Sequence, residues 1–419
     1  MELCVLCRVV DNYGDIGFVY RLCRSLLECK LEIKLNIVVD NLKSFNFLMP
    51  HVQLEKDIQS VSFDFYFKGK AQTSKVNIYD WNAKSSCKQA FFRKNPKIIL
   101  ECFQCGRPDW LDELLFSPAN KEKTLIINIE YLTAESWADD FHLLKSGTRS
   151  PLIKKVNFMP GFSSKTGGLL LDSPFLQDLQ NIDLALKRVQ PFFSEKMLSI
   201  LQDDSFCKIL LFSYKRDFSP LVKAFSRYNI EGKLCVFVAN GISAQPFLSE
   251  IEAQKAVFLH FELPALPQEV WDALLTLMNF CIIRGEDSFS RVCLAGKPFL
   301  WQAYPQKDEV QLLKVNALLS KMQGFFSTSD FCPIKNLFLS YNRVFDVPFN
   351  SLSDEIKEIL GEETKNQFQK KEIEENLYLI LKNLTQYKKS FSAFSEMLKS
   401  NGNLAKNLLN FIENYSTNL

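Results

Sequence analysis

A chain of 419 residues is too long for one compact core and suits two domains of about 200 residues each. Its composition, 47% hydrophobic and 23% charged, is that of a globular protein and excludes general disorder. The 50 Lys and Arg against 48 Asp and Glu leave a formal charge of +2, so no broad field draws nucleic acid or an anionic membrane, and neither is expected as a partner. The 12 cysteines are scattered rather than grouped into a framework, which points to a reducing, cytoplasmic compartment. No apolar run approaches the ~18 residues of a membrane span. Arg8 and Asp11 cut the first one short, and no basic segment precedes it as in a signal peptide.

The chain opens on Leu3–Val10, an apolar run that reads as a buried strand with Arg8 as its one misfit. Apolar residues then recur at helical spacing from Phe18 to Leu27, so Val9-Val10-Asp11-Asn12-Tyr13-Gly14-Asp15-Ile16-Gly17 between them is a strand-to-helix turn. In open α/β sheets such turns lie at the carboxyl ends of strands, where ligands bind. Gly14 and Gly17 allow close approach, and Asp11 and Asp15 set two carboxylates on one short loop. Further strands are expected at Leu35–Val39, Phe63–Tyr66, Lys97–Leu100 and Thr124–Ile129, alternating with helices as in a parallel sheet.

Met159–Gly168 breaks this alternation with Pro, Gly and Ser and marks the expected domain boundary. A second series follows, with strands expected at Lys208–Phe212, Leu234–Val238, Val257–Phe261, Phe280–Ile283 and Pro298–Gln302. The fold class is thus α/β, two Rossmann-like halves in tandem without internal sequence repetition. From Ser353 the chain is mostly helical. The charged segment 361–378 reads as a solvated face, and Leu404, Leu408, Leu409, Phe411 and Ile412 form a stripe that needs a partner, for which the first domain is expected.

Three groups of residues can carry chemistry. Around the first turn only Gly14-x-x-Gly17 is present, with acidic residues where pyrophosphate would approach, which argues against a dinucleotide fold. No P-loop pattern occurs either. Arg284-Gly285-Glu286-Asp287-Ser288-Phe289-Ser290-Arg291 follows a strand and opens a helix, with Asp287 and Ser288 as candidate N-caps. Free N–H groups at that helix start beside Arg284 suit a phosphate without a metal, and Glu286 can accept from ribose or sugar hydroxyls; an ordinary capped helix is the plain alternative. Phe212 and Tyr214 at a strand end and Gln268 after Leu266-Pro267 can stack on and read a pyrimidine, although aromatics there are more often core. Cys4 and Cys7 of one C-x-x-C pair, in a strand, face opposite sides and are poorly placed to share a metal; Cys102 and Cys105 form the other pair. His51, His142 and His260 are dispersed, and His142 reads as structural. No D-x-D motif accompanies the candidate loops, and neither cofactor nor metal is expected.

Taken together, Cys7–Gly17, Asn128–Glu135, Pro160–Phe162 with Thr166–Leu170, and Arg284–Phe289 with Ala295–Phe299 and Tyr304–Gln306 resemble the EarP family, bacterial protein-arginine rhamnosyltransferases of elongation factor P. The motifs run in order from residue 4 to about 310. The resemblance implies a GT-B architecture of two Rossmann-like domains facing across a cleft, with domains at 1–165 and 166–384 and a helical segment from about 385 to 419 returning to the first. It implies dTDP-β-L-rhamnose as donor, bound mainly by the second domain, and transfer with inversion to one arginine of elongation factor P. Asp11, Asp15 and Glu286 match the family's catalytic carboxylates, with Asn12, Tyr13 and Gly14 beside them as substrate contacts. Arg284, Asp287 and Ser288 fall in the diphosphate motif, and Phe212, Tyr214 and Gln268 near the thymidine. Lys215-Arg216 is more basic than the family pattern there. Two other readings compete: another GT-B sugar-nucleotide enzyme, such as an epimerase, and a non-catalytic GT-B-like module that grips a protein partner.

Overall fold

The computed structural model describes residues 1–10, 14–92, 95–344, 347–361 and 366–416. The chain divides into two compact units, Met1–Leu176 with Lys399–Leu419, and Gln177–Leu398.

The first unit is built on an eight-stranded sheet of β1 (Glu2–Cys7), β2 (Lys34–Val39), β3 (Ile58–Phe67), β4 (Lys70–Asp80), β5 (Ile98–Cys102), β6 (Thr124–Ile129), β7 (Lys145–Ser146) and β8 (Ile153–Phe158). Their spatial order is β3-β4-β2-β1-β5-β6-β8-β7. The central strands are parallel and buried along nearly their whole length, as their continuous apolar runs require. The edges depart from the expected all-parallel sheet. β3 and β4 form an antiparallel hairpin whose turn residues, Lys68 and Gly69, both have positive φ, as a type I′ turn requires. β4 is largely polar and half-solvated, which is why no apolar run announces it.

The first strand ends at Cys7, not at Val10. Beyond it the Val9 N–H donates to Asp40 Oδ1 at 2.8 Å and the Val10 N–H to Asp15 Oδ2 at 2.8 Å, so side chains take the backbone donors out of the ladder. Arg8 is exposed outside the strand, which removes its misfit. Cys4 and Cys7 lie in separate apolar clusters on the two faces of the sheet, and burial raises both thiols above their usual range.

The expected boundary segment, Met159–Gly168, lies inside the first unit. The Gly167 N–H donates to the Met159 carbonyl at 2.8 Å, and a Cβ at Gly167 would stand 2.4 Å from the Phe158 ring and 2.8 Å from Leu404. Arg21 and Asp172 form a buried ion pair at 3.2 Å, which carries the unit past residue 166 to Leu176. The expected return at about 385 also moves. The helix Leu384–Ser400 belongs to the second unit, where Phe391 packs on Phe299 at 5.2 Å and the Ser395 hydroxyl donates to the Leu294 carbonyl. Only the last helix, Leu404–Ser416, joins the first, burying Leu404, Leu408, Leu409 and Ile412 in its core with Phe411 packed against it.

The second unit carries a five-stranded, all-parallel sheet of β9 (Phe206–Leu211), β10 (Lys233–Val238), β11 (Leu259–Glu262), β12 (Phe280–Arg284) and β13 (Phe299–Gln302), in the order β11-β10-β9-β12-β13. This is the Rossmann-type order that reverses direction between its first and fourth strands. β11 starts at Leu259 and not at Val257, which is 88% exposed. Among the described residues no helix is long and apolar enough to cross a membrane.

His142 reports on the packing of the first unit. Its Nδ1 accepts the Met159 N–H at 3.1 Å and its ring lies edge-on to Phe158. Desolvation lowers its pKa from 6.5 to about 4. The folded state therefore refuses a proton that the unfolded chain takes below 6.5, so this contribution to stability is complete above 6.5 and is lost as pH falls toward 4. In an NMR titration the His142 ring protons are expected to shift near pH 4, in step with a falling urea midpoint, and titration near 6.5 would contradict the packing.

Candidate active site

Both candidate clusters sit where the strand order reverses. In the second unit β9 and β12 are parallel neighbours, and the Phe212 N–H continues their ladder by donating to the Ile282 carbonyl at 2.8 Å. The residues after β9 therefore emerge beside Arg284 at the end of β12. The Arg284 guanidinium carbon lies 4.5 Å from the Phe212 ring centroid and 4.7 Å from that of Tyr214. A cation held between two aromatic faces is oriented without surrendering its N–H donors. The Arg284 Nε is buried and makes no hydrogen bond among the described residues, an arrangement costly for a charged donor unless an anion completes it.

The helix Glu286–Ala295 begins directly after this cation. Its N-cap is Gly285, at φ 74 and ψ 148, in place of Asp287 or Ser288. Those two side chains are engaged elsewhere. The Gln268 amide donates to Asp287 Oδ2 at 3.3 Å, and the Trp271 indole donates to Ser288 Oγ at 3.1 Å. Gln268 and Trp271 are three residues apart on one helix, Gln268–Leu277, and so share a face. The Trp271 ring also meets Phe212 edge-on at 5.1 Å. Phe212, Tyr214, Gln268, Arg284, Asp287 and Ser288 thus fall in one cluster, with Glu286 in the first turn of its helix. Trp271 completes it, and only its spacing from Gln268 could have signalled that. The N-cap Gly285 has no side chain with which to cap the helix, whose start stands beside Arg284, an arrangement that can receive a phosphate.

Lys215-Arg216 divides between two roles. Lys215 is exposed, whereas Arg216 turns inward, its guanidinium 3.8 Å from the Tyr341 ring centroid and donating to the Tyr341 carbonyl. The Tyr341 hydroxyl is 2.8 Å from Ser213 Oγ, and Gln302 accepts from Ser213 Oγ and, at 2.8 Å, from the Tyr214 N–H. Arg216 is therefore part of the framework that holds the aromatic loop.

In the first unit, Asp11, Asn12 and Tyr13 lie outside the described residues. Gly14 opens the first helix, Gly14–Cys29, and Asp15 in its first turn is buried, with Oδ2 accepting from Val10 N–H and Oδ1 facing the Tyr131 hydroxyl at 3.3 Å. Negative charge is favourable at that helix end. Tyr131 follows β6, a position only the tertiary structure brings to Asp15.

Two Rossmann-like α/β domains with candidate ligand loops at their strand carboxyl ends match the GT-B architecture. A solved structure reporting the "structural basis for EarP-mediated arginine glycosylation of translation elongation factor EF-P" matches 99% of this chain and 99% of its own, at TM-score 0.57 and 16% identity. A UDP-GlcNAc 2-epimerase from Neisseria meningitidis matches 99% and 100% at TM-score 0.53 and 8% identity, a likeness of fold alone. The protein-arginine rhamnosyltransferase of Shewanella oneidensis is 33% identical over 337 residues, 75% of this chain and 79% of that one. That of Pseudomonas putida is 27% identical over 353 residues, 82% and 87%. The family model described as Elongation-Factor P (EF-P) rhamnosyltransferase EarP matches residues 3–413, and the chain belongs to that family. It is accordingly a glycosyltransferase acting on protein arginine, which closes the epimerase and binding-module readings.

Arg216→Ala should destabilise the second unit by about 2–4 kcal/mol in urea unfolding, the sum of a charge-assisted hydrogen bond and a desolvated cation–π contact. Arg216→Lys should recover little of it, because an ammonium lacks the planar face.

Proposed function

We propose that this chain transfers rhamnose from dTDP-β-L-rhamnose, with inversion and without a metal, to one arginine of elongation factor P. The observation that carries the donor half is Arg284, a cation between two aromatic rings with a buried, unbonded Nε at the start of a helix. A diphosphate supplies the missing acceptor. Phe212 and Tyr214 then border the nucleobase, and Gln268, oriented through Asp287, presents its amide to a pyrimidine edge. Glu286 in the same first turn holds sugar hydroxyls. Family membership supports a protein as the acceptor.

The acceptor half has to solve an energetic problem. A guanidinium with pKa above about 12 and an ordinary carboxylate near about 4 differ by roughly 8 units, about 11 kcal/mol, so full deprotonation before attack is too costly. Asp11 and Asp15 instead bind the guanidinium as a charge-assisted pair. As nitrogen attacks the anomeric carbon from the face opposite the diphosphate, the new C–N bond acidifies that nitrogen, and Asp15 takes its proton while the C–O bond to phosphate breaks. The leaving electron pair stays on the diphosphate, where Arg284 and the helix start stabilise the added charge.

Intact-mass analysis of elongation factor P incubated with this protein and dTDP-rhamnose should show a gain of one deoxyhexose, and UDP-sugars should give none. Asp15→Asn preserves shape and removes the base, and should lower kcat by about 10²–10⁴-fold; near-normal turnover would refute the assignment. EDTA should leave the rate unchanged.

A further inference from the structure

Asp15, Phe103 and Tyr131 lie just beyond β1, β5 and β6, three strands adjacent in the first sheet. The Tyr131 hydroxyl donates to Asp15 Oδ1 at 3.3 Å. Its ring stacks on Phe103 with centroids 4.3 Å apart and planes 18° apart. Phe103 in turn packs on Phe18 at 5.2 Å, on the helix that begins beside Asp15. Carboxylate, hydroxyl and ring are thus tied together from both ends.

The backbone beneath this stack is strained. Phe103 has φ 61 and Gln104 φ 51, left-handed conformations that L residues with bulky side chains adopt at a cost. They are fixed by Phe103 N–H to the Ile129 carbonyl at 2.6 Å and by Gln104 N–H to Asn128 Oδ1 at 3.2 Å, while the Gln104 amide donates to Glu130. The strain sets the Phe103 ring under Tyr131. Tyr131 itself remains 37% exposed beside a buried carboxylate.

A guanidinium is planar and weakly hydrated, and it pairs with carboxylates through its edge while stacking on aromatic rings through its face. We propose that Tyr131 is an acceptor-site residue with two tasks: its hydroxyl fixes one oxygen of Asp15, and its ring, backed by Phe103, is the wall on which the acceptor guanidinium lies. This rests on the reading of Asp15 as the carboxylate that receives that arginine. A flat wall selects the planar guanidinium over an ammonium, which pairs with the carboxylate but gains little from the face.

Steady-state kinetics on elongation factor P separate the two tasks. Tyr131→Phe keeps the ring and should lower kcat about tenfold with the acceptor KM within about twofold of wild type. Tyr131→Leu removes the wall as well and should also raise the acceptor KM at least about tenfold. Neither should change the KM for dTDP-rhamnose. Thermal unfolding of each variant checks the fold, and if Tyr131→Leu does not fold, the kcat and KM of Tyr131→Phe decide. Wild-type kcat in Tyr131→Phe, an unchanged acceptor KM in a folded Tyr131→Leu, or a donor KM that moves with the acceptor's overturns the inference. Asp15→Asn measured alongside keeps the two readings apart. If it is inactive while both Tyr131 variants behave as wild type, only the Tyr131 inference fails; if it is active, the reading of Asp15 fails as well.

Discussion

In a parallel sheet every strand delivers its carboxyl end to the same edge, and where the winding reverses, two neighbouring strand ends send their chains apart and leave a space between them. That constraint governs both units. Around β1 and β5 it collects Asp15, Phe103 and, one strand further on, Tyr131. Around β9 and β12 it collects Phe212, Tyr214 and Arg284. The ladder bond from Phe212 N–H to Ile282 shows how literal the constraint is, since one hydrogen bond past the end of β9 decides which residues stand beside Arg284.

The two clusters apply the same parts to opposite charges. In the second unit a cation is gripped by aromatic faces, so its donors stay available for an anion. In the first unit a buried carboxylate at a helix start stands beside a stacked aromatic pair, an environment fitted to a planar cation. The proposed transfer from a phosphate-activated sugar to an arginine asks for both environments. In the proposed reaction aromatic rings serve in each, because a ring can orient a guanidinium through its face without competing for its hydrogen bonds.

Supporting residues are as specific as those in the clusters. Asp287 and Ser288 do not cap their helix but receive Gln268 and Trp271, so one helix start and one neighbouring helix face are locked together by two side-chain bonds. Gly285, with its positive φ, takes over as N-cap. Arg216 holds its loop from behind through Tyr341, Ser213 and Gln302. Its basic character serves packing, which a count of charges along the loop does not reveal.

The α/β class, the two series of strands, and the loops that carry Asp15 and Arg284 are legible in the sequence, because continuous apolar runs specify buried parallel strands and their ends specify where polar chemistry begins. The sequence also placed the final stripe on the first domain, since Leu404, Leu408 and Ile412 recur at helical spacing and had to be covered. It missed β4, whose side chains are mostly polar, and it set the domain boundary at Met159–Gly168, where the absence of a side chain at Gly167 lets Phe158 and Leu404 close over the chain inside the first unit. That Tyr131 reaches Asp15 and Trp271 reaches Ser288 follows from how the elements pack. Those pairings cross between elements, and no local periodicity encodes which strand end or helix face becomes the neighbour of which.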